Sequence, residues 1–296
     1  MDKEFKAKLD ALEKERLAVL KRKTLATAIT VPILVVLCLL GIFTLGVHPL
    51  FTVVGAIFLY MFIVEYIIGG SVRKFKRFYK TEFVKTSFAT AFDNVNYNPT
   101  SCISEDAVRS SSLVRLGNRY SGNDYLSGSY KGVNFVHSDL LIQQVTNSGK
   151  TTHTATLFEG KWLIFDFNKT INEYLSIRER EFLKKINFFS SDSVVEFESV
   201  EFNNEFEVKC TNQHTAFYVL TPHFIEAIRE INSKTQGQLL MCFVNGKMHV
   251  ALNDGRDSLE PSIRTSVYDY QNLVNKEIDL IKCFVDYLDI DHKIFN

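Results

Sequence analysis

The sequence lacks several patterns by which common protein classes are recognised. It has no net charge, since 34 Lys and Arg balance 34 Asp and Glu. This balance argues against a dedicated nucleic-acid binder, because such proteins normally carry an excess of basic residues on the binding surface. Its five cysteines include no Cys-x-x-Cys pair, which argues against a disulfide framework or zinc ribbon and suits a reducing compartment. A wholly disordered chain is also excluded, because 46% of the residues are hydrophobic.

Charged residues are missing from one long segment. No Asp, Glu, Lys or Arg occurs between Lys23 and Glu65, a run of 41 residues. One membrane span needs about 20 apolar residues, so the run has room for two. Glycine and proline interrupt it at 46–49, which predicts a helical hairpin with spans at about 25–45 and 50–68. A cleaved signal peptide is the rival interpretation, but its apolar core would be only about 7–15 residues long.

Basic residues flank the predicted hairpin on both sides. Residues 1–23 carry eight Lys and Arg, residues 71–85 carry six, and the turn between the spans carries none. Because such residues favour the cytoplasmic side, both termini are predicted to be cytoplasmic. Four residues after the second span are candidate contacts for anionic lipid, although the same group could serve only to fix topology. These residues are Arg73, Lys74, Lys76 and Arg77.

The fold class predicted from these patterns is α+β, with an N-terminal transmembrane helical hairpin followed by a cytoplasmic region of antiparallel β-sheets with packed helices. After the second span, Gly69-Gly70-Ser71 permits a bend. Five segments are predicted: a cytoplasmic amphipathic helix (1–23), the transmembrane hairpin (24–70), a basic juxtamembrane helix (71–93), a β-meander unit (94–190) and a second α+β unit with a C-terminal helix (191–296). The last two of these could equally form one continuous domain. A PH-like barrel capped by the final helix is an alternative for either of them.

Turn residues divide the predicted β-meander into short strands. Lys131-Gly132, Ser138-Asp139 and Glu159-Gly160 are each predicted to be turns, with another over 146–150. Ser104 is predicted to begin a helix before the first strand. The strands are expected at 125–130, 133–137, 140–145, 151–158 and 162–167.

The second unit combines extended and helical patterns. Residues 202–209 and 214–220 are predicted to be extended, and Thr221-Pro222 to begin a helix. Asn245-Gly246 predicts a hairpin. An apolar stripe over 266–289 predicts a long amphipathic helix that closes the core.

Several stretches of the chain resemble a known family. The Leu-Thr-Pro sequence at 220–222 is the most distinctive part. Together with the two spans, these stretches make the chain similar to the domain-of-unknown-function family 3137. The resemblance implies a bacterial inner-membrane protein and supplies no catalytic or binding residues. The stretches are 201–208 (EFNNEFEV), 216–224 (AFYVLTPHF), 243–251 (FVNGKMHVA), 124–128 (DYLSG) and 158–162 (FEGKW).

No familiar catalytic or metal-binding pattern occurs in the sequence. The seven histidines show no His-Glu-x-x-His spacing, and 253–257 lacks the spacing of an EF-hand, so neither a metal nor a cofactor is expected. The tripeptide His137-Ser138-Asp139 is interpreted as a hairpin turn, because neighbouring strand residues point to opposite faces and cannot form a nucleophile–base pair. Trp162 is predicted to be core. A glycosylation match at 168–170 has no role in a cytoplasmic chain.

Three functions remain open at this point. The leading prediction is a membrane-anchored binding or scaffold module that is not an enzyme, whose partner is a protein, inner-leaflet lipid or a second copy. The second is an enzyme whose site is assembled from distant residues around Asp124, His137 and Asp139. The third is transport, for which two short spans with Glu65 offer little pathway. Glu65 lies near the cytoplasmic end of its span and is instead predicted to pair with Arg73 or Lys74.

Overall fold

The computed structural model describes residues 3–46, 48–149, 151–167, 171, 173–185, 193–257 and 259–288. Its helices are α1 (Lys3–Leu45), α2 (Pro49–Phe78), α3 (Lys85–Ala91), α4 (Glu105–Ser111), α5 (Arg180–Lys185), α6 (Val200–Glu205), α7 (Gln213–Val219), α8 (Pro222–Lys234) and α9 (Val267–Tyr287), with a π-helical segment (Tyr79–Val84) between α2 and α3. Its strands are β1 (Asp93–Asn98), β2 (Arg119–Tyr130), β3 (Val133–Ser148), β4 (Thr151–Asp166), β5 (Leu175–Glu179), β6 (Ser193–Val195), β7 (Phe206–Cys210), β8 (Gln238–Val244) and β9 (Lys247–Asn253).

The first of two compact units comprises Met1–Ser87 and Leu259–Val274. Its helices α1 and α2 are each long and apolar enough to cross a membrane, and only 11% and 6% of their most apolar windows are buried. The core helices of a soluble protein would bury these side chains. The chain is therefore associated with a membrane through α1 and α2.

The break between α1 and α2 coincides with the turn predicted at 46–49, of which Val47 lies outside the described residues. Pro49 begins α2, where its missing N–H leaves no helical hydrogen bond unmade. Gly69-Gly70-Ser71 does not end the second helix, because α2 continues to Phe78. A glycine in a helix interior costs only about 1 kcal/mol relative to alanine, and a helix of this length tolerates that cost.

Within the first unit, residues 259–274 pack on α1 and on the π-helical segment that follows α2. The guanidinium of Arg16 donates to the carbonyl of Ile263 at 2.8 Å, and the rings of Tyr79 and Tyr270 lie 5.4 Å apart between centroids. The amphipathic helix predicted at 1–23 runs directly into the first span as part of α1. It serves here as a packing surface.

The second unit comprises Phe88–Ser258 and Asn275–Asn296 and contains one antiparallel sheet. The strand order is β1-β2-β3-β4-β9-β8-β5-β7-β6. Strands from both predicted ranges, 94–190 and 191–296, therefore join in one sheet. In the part of the chain that the structure describes, β1 and β6 stand at opposite ends of that order, so this sheet is open and is not a closed barrel. The α+β class is confirmed, whereas the predicted segment boundaries stay predictions.

Two of the predicted turns are wrong. Ser138-Asp139 lies inside β3 and Glu159-Gly160 inside β4, so long strands replace pairs of short ones. Ser138 and Asp139 are both buried, because both faces of the sheet are covered at this point. Gly160 has φ 151°, and a Cβ there would meet the carbonyl oxygen of Leu252 at 2.1 Å. Glycine is needed for this close approach of two strands, and not for a turn.

Two segments predicted to be extended are helical in whole or in part. Residues 202–209 are divided between α6 and β7, and residues 214–220 form most of α7. The side chain of Ser199 accepts a hydrogen bond from the backbone N–H of Phe202, and Asn212 caps α7 in the same way. These N-caps begin short helices in segments where the apolar pattern did not distinguish helix from strand.

Several other local predictions are confirmed, but the turn predicted over 146–150 is placed too early, because β3 continues to Ser148 and residue 150 lies outside the described residues. Ser104 and Thr221 cap α4 and α8 through their hydroxyl oxygens. Lys131-Gly132 joins β2 to β3, and Asn245-Gly246 joins β8 to β9. The C-terminal helix runs over Val267–Tyr287, and the end predicted at residue 289 lies outside the described residues.

The sheet presents different side chains on its two faces, since residues alternate along each strand. One face is apolar: Leu140 and the fully buried Trp162 pack there with Val108 of α4. On the other face, Phe135 and Phe165 lie beneath α9, with the ring of Phe165 6.0 Å from that of Phe284. Trp162 is thus core, as predicted. The odd-numbered residues of β3, which include His137 and Asp139, face the C-terminal helix.

Candidate functional site

A group of charged side chains lies on the α9 side of the sheet, and we call it the acidic cluster. Charged side chains are seldom buried unless they are paired, yet most members of this cluster are buried. Asp257 is the exposed member, whereas the side chain of Asp254 is buried. The cluster consists of Asp124, His137, Asp139, Lys161, Asp254, Asp257 and Glu277.

Strand register brings the central members together. Asp139 lies between Asn123 of β2 and Lys161 of β4 in a cross-strand row, and directly opposed residues share one face of the sheet. A β-bulge interrupts β2 between Asn123 and Leu126. Asp124 occupies the bulge with φ 55°, and a bulge can redirect a side chain that would otherwise point to the opposite face. Asn123 and Asp124, although adjacent, therefore both reach the acidic cluster.

Helix α9 supplies a carboxylate from within its apolar stripe. Glu277 lies one turn before Ile281 and two turns before Phe284, both fully buried. Its Oε1 is 3.3 Å from Nζ of Lys161, and its Oε2 is 3.7 Å from Nε2 of His137. Its helical spacing from Ile281 and Phe284 is a signal in the sequence that Glu277 is a buried polar residue, and this signal was missed.

Lys161 is held by two carboxylates. Its Nζ lies 2.6 Å from Oδ2 of Asp254, in addition to the contact with Glu277. Burial alone would lower the pKa of Lys161, but the charge of Glu277 and the hydrogen bond to Asp254 raise it above its ordinary value. Lys161 is therefore a fixed positive charge at this end of the cluster.

The histidine and the central carboxyl group have strongly shifted pKa values. Burial, with the nearby positive charge of Lys161, lowers the pKa of His137 to about 3, so its imidazole is neutral near pH 7. Burial and the negative charges of Glu277 and Asp257 raise the pKa of Asp139 well above its usual range. The 3.7 Å contact between His137 and Glu277 is consequently not an ion pair.

Three carboxylates in the cluster converge. Oxygen atoms of Asp124, Asp139 and Asp257 all lie within 4.8 Å of one another. The hydroxyl of Tyr97 donates to Oδ1 of Asp124, and the amide of Asn123 donates to Oδ2 of Asp257 at 2.8 Å. These two bonds orient the carboxylates next to Asp139. Carboxylate oxygens are the ligands that Ca²⁺ and Mg²⁺ prefer.

The three residues predicted to form the site of an enzyme lie close together in the structure. Asp124, His137 and Asp139 all belong to the acidic cluster. The loop after β9 contributes Asp257, although an EF-hand spacing is absent there. Lys161 was missed. The glycosylation match at 168–170 and the histidine at 292 lie outside the described residues.

The four candidate lipid contacts belong to the first unit. Arg73, Lys74 and Arg77 are exposed, and Arg73 also pairs with Glu65 at 2.9 Å, which confirms the predicted pairing of that carboxylate. Lys76 is half-buried, and its Nζ lies 2.5 Å from Oε1 of Glu260. Three of the four side chains therefore extend to the surface near the end of α2.

Comparison with known proteins identifies a family and no activity. Residues 156–289 match the model of the family described as "Protein of unknown function (DUF3137)", so the resemblance predicted from the sequence is confirmed over this range. The range contains Lys161, Asp254, Asp257 and Glu277 but begins after Asp139. No curated protein matches the chain.

One solved structure is similar in part. The crystal structure of the mycobacterial trehalose monomycolate transport factor A, TtfA, aligns with a TM-score of 0.33 at 12% sequence identity. The alignment covers 68% of this chain and 93% of that one. Agreement at this level does not establish a shared fold or a shared role.

Proposed function

We propose that this member of the DUF3137 family is a two-pass protein of the bacterial inner membrane, with both termini in the cytoplasm, and that its sheet domain binds a protein partner there without catalysing a reaction. The observation that carries the binding role is a group of exposed apolar side chains at the β6 end of the sheet. We call this group the β6 patch. It consists of Val194, Val200, Phe217 and Tyr218.

The distribution of basic residues supports the proposed topology. Lys21-Arg22-Lys23 precede the first span, and the basic segment at 73–77 follows the second, whereas the turn at 46–49 carries no basic residue. Basic residues near span ends favour the cytoplasm. We expect a fluorescent protein fused to the C-terminus to fluoresce, and alkaline phosphatase at the same place to be inactive. The reverse result would place the sheet domain on the periplasmic side of the inner membrane and contradict the proposal.

The β6 patch combines a strand edge with apolar side chains. β6 pairs with β7 and is the last strand of the sheet among the residues that the structure describes. Phe197 follows β6 by two residues, and its ring contacts those of Phe202 in α6 and Phe217 in α7. The end of β6, α6 and α7 therefore meet at this edge. Phe217 and Tyr218 are about half exposed. An extended peptide segment with apolar side chains could add to such an edge through main-chain hydrogen bonds.

Photo-crosslinking in intact membranes tests the binding role. The photoreactive residue p-benzoylphenylalanine would replace Tyr218 in the full chain, with Tyr268 replaced in the control, because both tyrosines are about half exposed and Tyr268 lies on α9. We expect a discrete adduct from position 218 alone, which Val194→Lys reduces. Equal labelling at both positions, or no adduct, would contradict the proposal. An adduct with a second copy would identify the partner as the chain itself.

The exposed basic residues of α2 are proposed to contact anionic lipid. Arg73, Lys74 and Arg77 lie at the surface, and each basic residue close to an anionic leaflet contributes roughly 1 kcal/mol. Replacing these three by Gln should reduce retention of anionic lipid by the purified protein, measured by mass spectrometry of the extracted lipid. Lys8→Gln with Lys14→Gln is the control pair on α1. Unchanged retention in the triple variant would leave the basic group as a determinant of topology only.

A second candidate function is supported by one observation. Asp124, His137 and Asp139 come together in the acidic cluster, as an enzyme with an assembled site would require. The full burial of His137 counts against substrate access. Turnover by the purified full chain that disappears in His137→Ala would favour this candidate, and activity unaffected by that change would exclude His137 from the reaction.

A further inference from the structure

We propose that the carboxylates of Asp124, Asp139 and Asp257 bind one hard divalent cation, such as Ca²⁺ or Mg²⁺, on the α9 side of the sheet. The inference is independent of the partner-binding role, because it rests on residues of the acidic cluster and on none of the β6 patch. It assigns a ligand to a group of residues in which the sequence showed no metal motif.

The distances allow all three carboxylates to contact one ion. Ligand oxygens lie about 2.3–2.6 Å from Ca²⁺ and about 2.0–2.1 Å from Mg²⁺, so two oxygens on one ion are at most about 5 Å apart for Ca²⁺ and about 4 Å apart for Mg²⁺. Oxygens of Asp124, Asp139 and Asp257 lie within 4.8 Å of one another. These distances suit joint coordination of Ca²⁺ as they stand, whereas Mg²⁺ would draw the carboxylates closer together.

The environment of Asp139 points to a ligand independently of these distances. Only 3% of Asp139 is exposed, and neither of its carboxylate oxygens has a hydrogen-bond partner. A buried carboxylate without partners is strongly unfavourable. Lys161 does not fill this role, because its Nζ contacts Asp254 and Glu277. A cation between Asp139 and its two neighbours would supply the missing contacts.

The neighbouring residues hold the outer ligands in position. Tyr97 donates to Asp124, and Asn123 donates to Asp257. Metal-ligating side chains are commonly oriented by such hydrogen bonds from neighbouring residues. The donor set is entirely carboxylate oxygen, which favours a hard ion over Zn²⁺ or Cu²⁺. Asp257 is exposed and gives the ion a route to solvent.

Terbium luminescence provides a direct test. Tb³⁺ replaces Ca²⁺ at oxygen sites, and excitation of Tyr97 beside Asp124 should sensitise its emission. The full chain would be purified in an uncharged detergent, stripped with EDTA and titrated with Tb³⁺, followed by competition with Ca²⁺, Mg²⁺ and Zn²⁺. We expect saturable binding of one ion that Ca²⁺ or Mg²⁺ displaces and Zn²⁺ does not.

Variants separate this site from other acidic groups. Asp257→Asn changes an exposed residue, so this variant should fold normally. Because each substitution removes one ligand charge, Asp257→Asn and Asp139→Asn should each bind Tb³⁺ at least tenfold more weakly. Asp106→Asn, an exposed aspartate of α4, should bind like the unchanged chain. Absence of saturable binding in the unchanged chain would overturn the proposal. So would equal affinity in the unchanged chain and in both Asp257→Asn and Asp139→Asn.

Discussion

Nε1 of Trp162 donates a hydrogen bond to Nδ1 of His249 at 3.3 Å, and both side chains are buried on the apolar face of the sheet. An indole N–H can only donate, so Nδ1 of His249 must be unprotonated. Burial, and the charge of nearby Lys247, lower the pKa of His249 to about 4. The chain has one tryptophan, and its fluorescence therefore reports on this pair.

The first prediction is a loss of stability in acid that depends on His249. Its pKa is about 6.5 in the unfolded chain and about 4 in the folded one, so only the unfolded state gains a proton between these values. The free energy of unfolding should be fully retained above pH 6.5 and fall as the pH approaches 4, by up to about 3 kcal/mol. Urea unfolding followed by Trp162 fluorescence at pH 7 and pH 4.5 measures this.

His249→Gln isolates that contribution from other titrating groups. The amide oxygen of Gln can accept from Trp162 but takes up no proton, so the variant should lose less stability on acidification than the unchanged chain. His223→Gln, at an exposed position of α8, should behave like the unchanged chain. An equal loss in the unchanged chain and His249→Gln would refute the assignment.

The second prediction concerns the start of α8. The hydroxyl of Thr221 accepts from the backbone N–H of Phe224 at 3.3 Å, so Thr221→Ala should lower the free energy of unfolding by about 1 kcal/mol. Thr221→Ser keeps the oxygen and should cost much less. Equal losses in the two variants, measured by urea unfolding, would show that the cap contributes little.

Thr221-Pro222 illustrates what the sequence could predict. A cap, the Asn245-Gly246 hairpin and the two apolar spans are each set by residues close together in the chain. The acidic cluster is different, because Asp139 and Glu277 are brought together by the pairing of strands and the docking of α9. Asp124 and Asp139 could be named as polar residues among strands, but their convergence with Asp257 depends on a bulge that leaves no local signal.

Gly160 shows why the turn predictions failed, and it gives the third prediction. Glycine in a strand pattern was interpreted as a turn, although here it allows close contact with the backbone of Leu252. Gly160→Ala should therefore lower the free energy of unfolding by roughly 3 kcal/mol or more. At Gly132, a true hairpin turn with φ 80°, a Cβ would have no neighbour within 4 Å. Gly132→Ala should cost only about 1–2 kcal/mol, and equal costs in urea unfolding would contradict this account.

The last prediction concerns the buried ion pairs of Lys161. Lys161→Met keeps the length of the side chain but leaves Asp254 and Glu277 without their shared cation. Breaking a buried pair in this way costs about 3–5 kcal/mol, whereas Lys247→Met, which removes the partly exposed pair with Asp166, should cost less than about 1 kcal/mol.

A variant that keeps the charge tests the electrostatic origin of the Lys161→Met loss. Lys161→Arg retains a cation that can contact Asp254 and Glu277, whereas Lys161→Met leaves both carboxylates without one. We expect Lys161→Arg to lower the free energy of unfolding by less than Lys161→Met does, as measured by urea unfolding of both variants and the unchanged chain. Equal losses in the two variants would mean that lost packing of the lysine stem, and not lost charge, destabilises Lys161→Met.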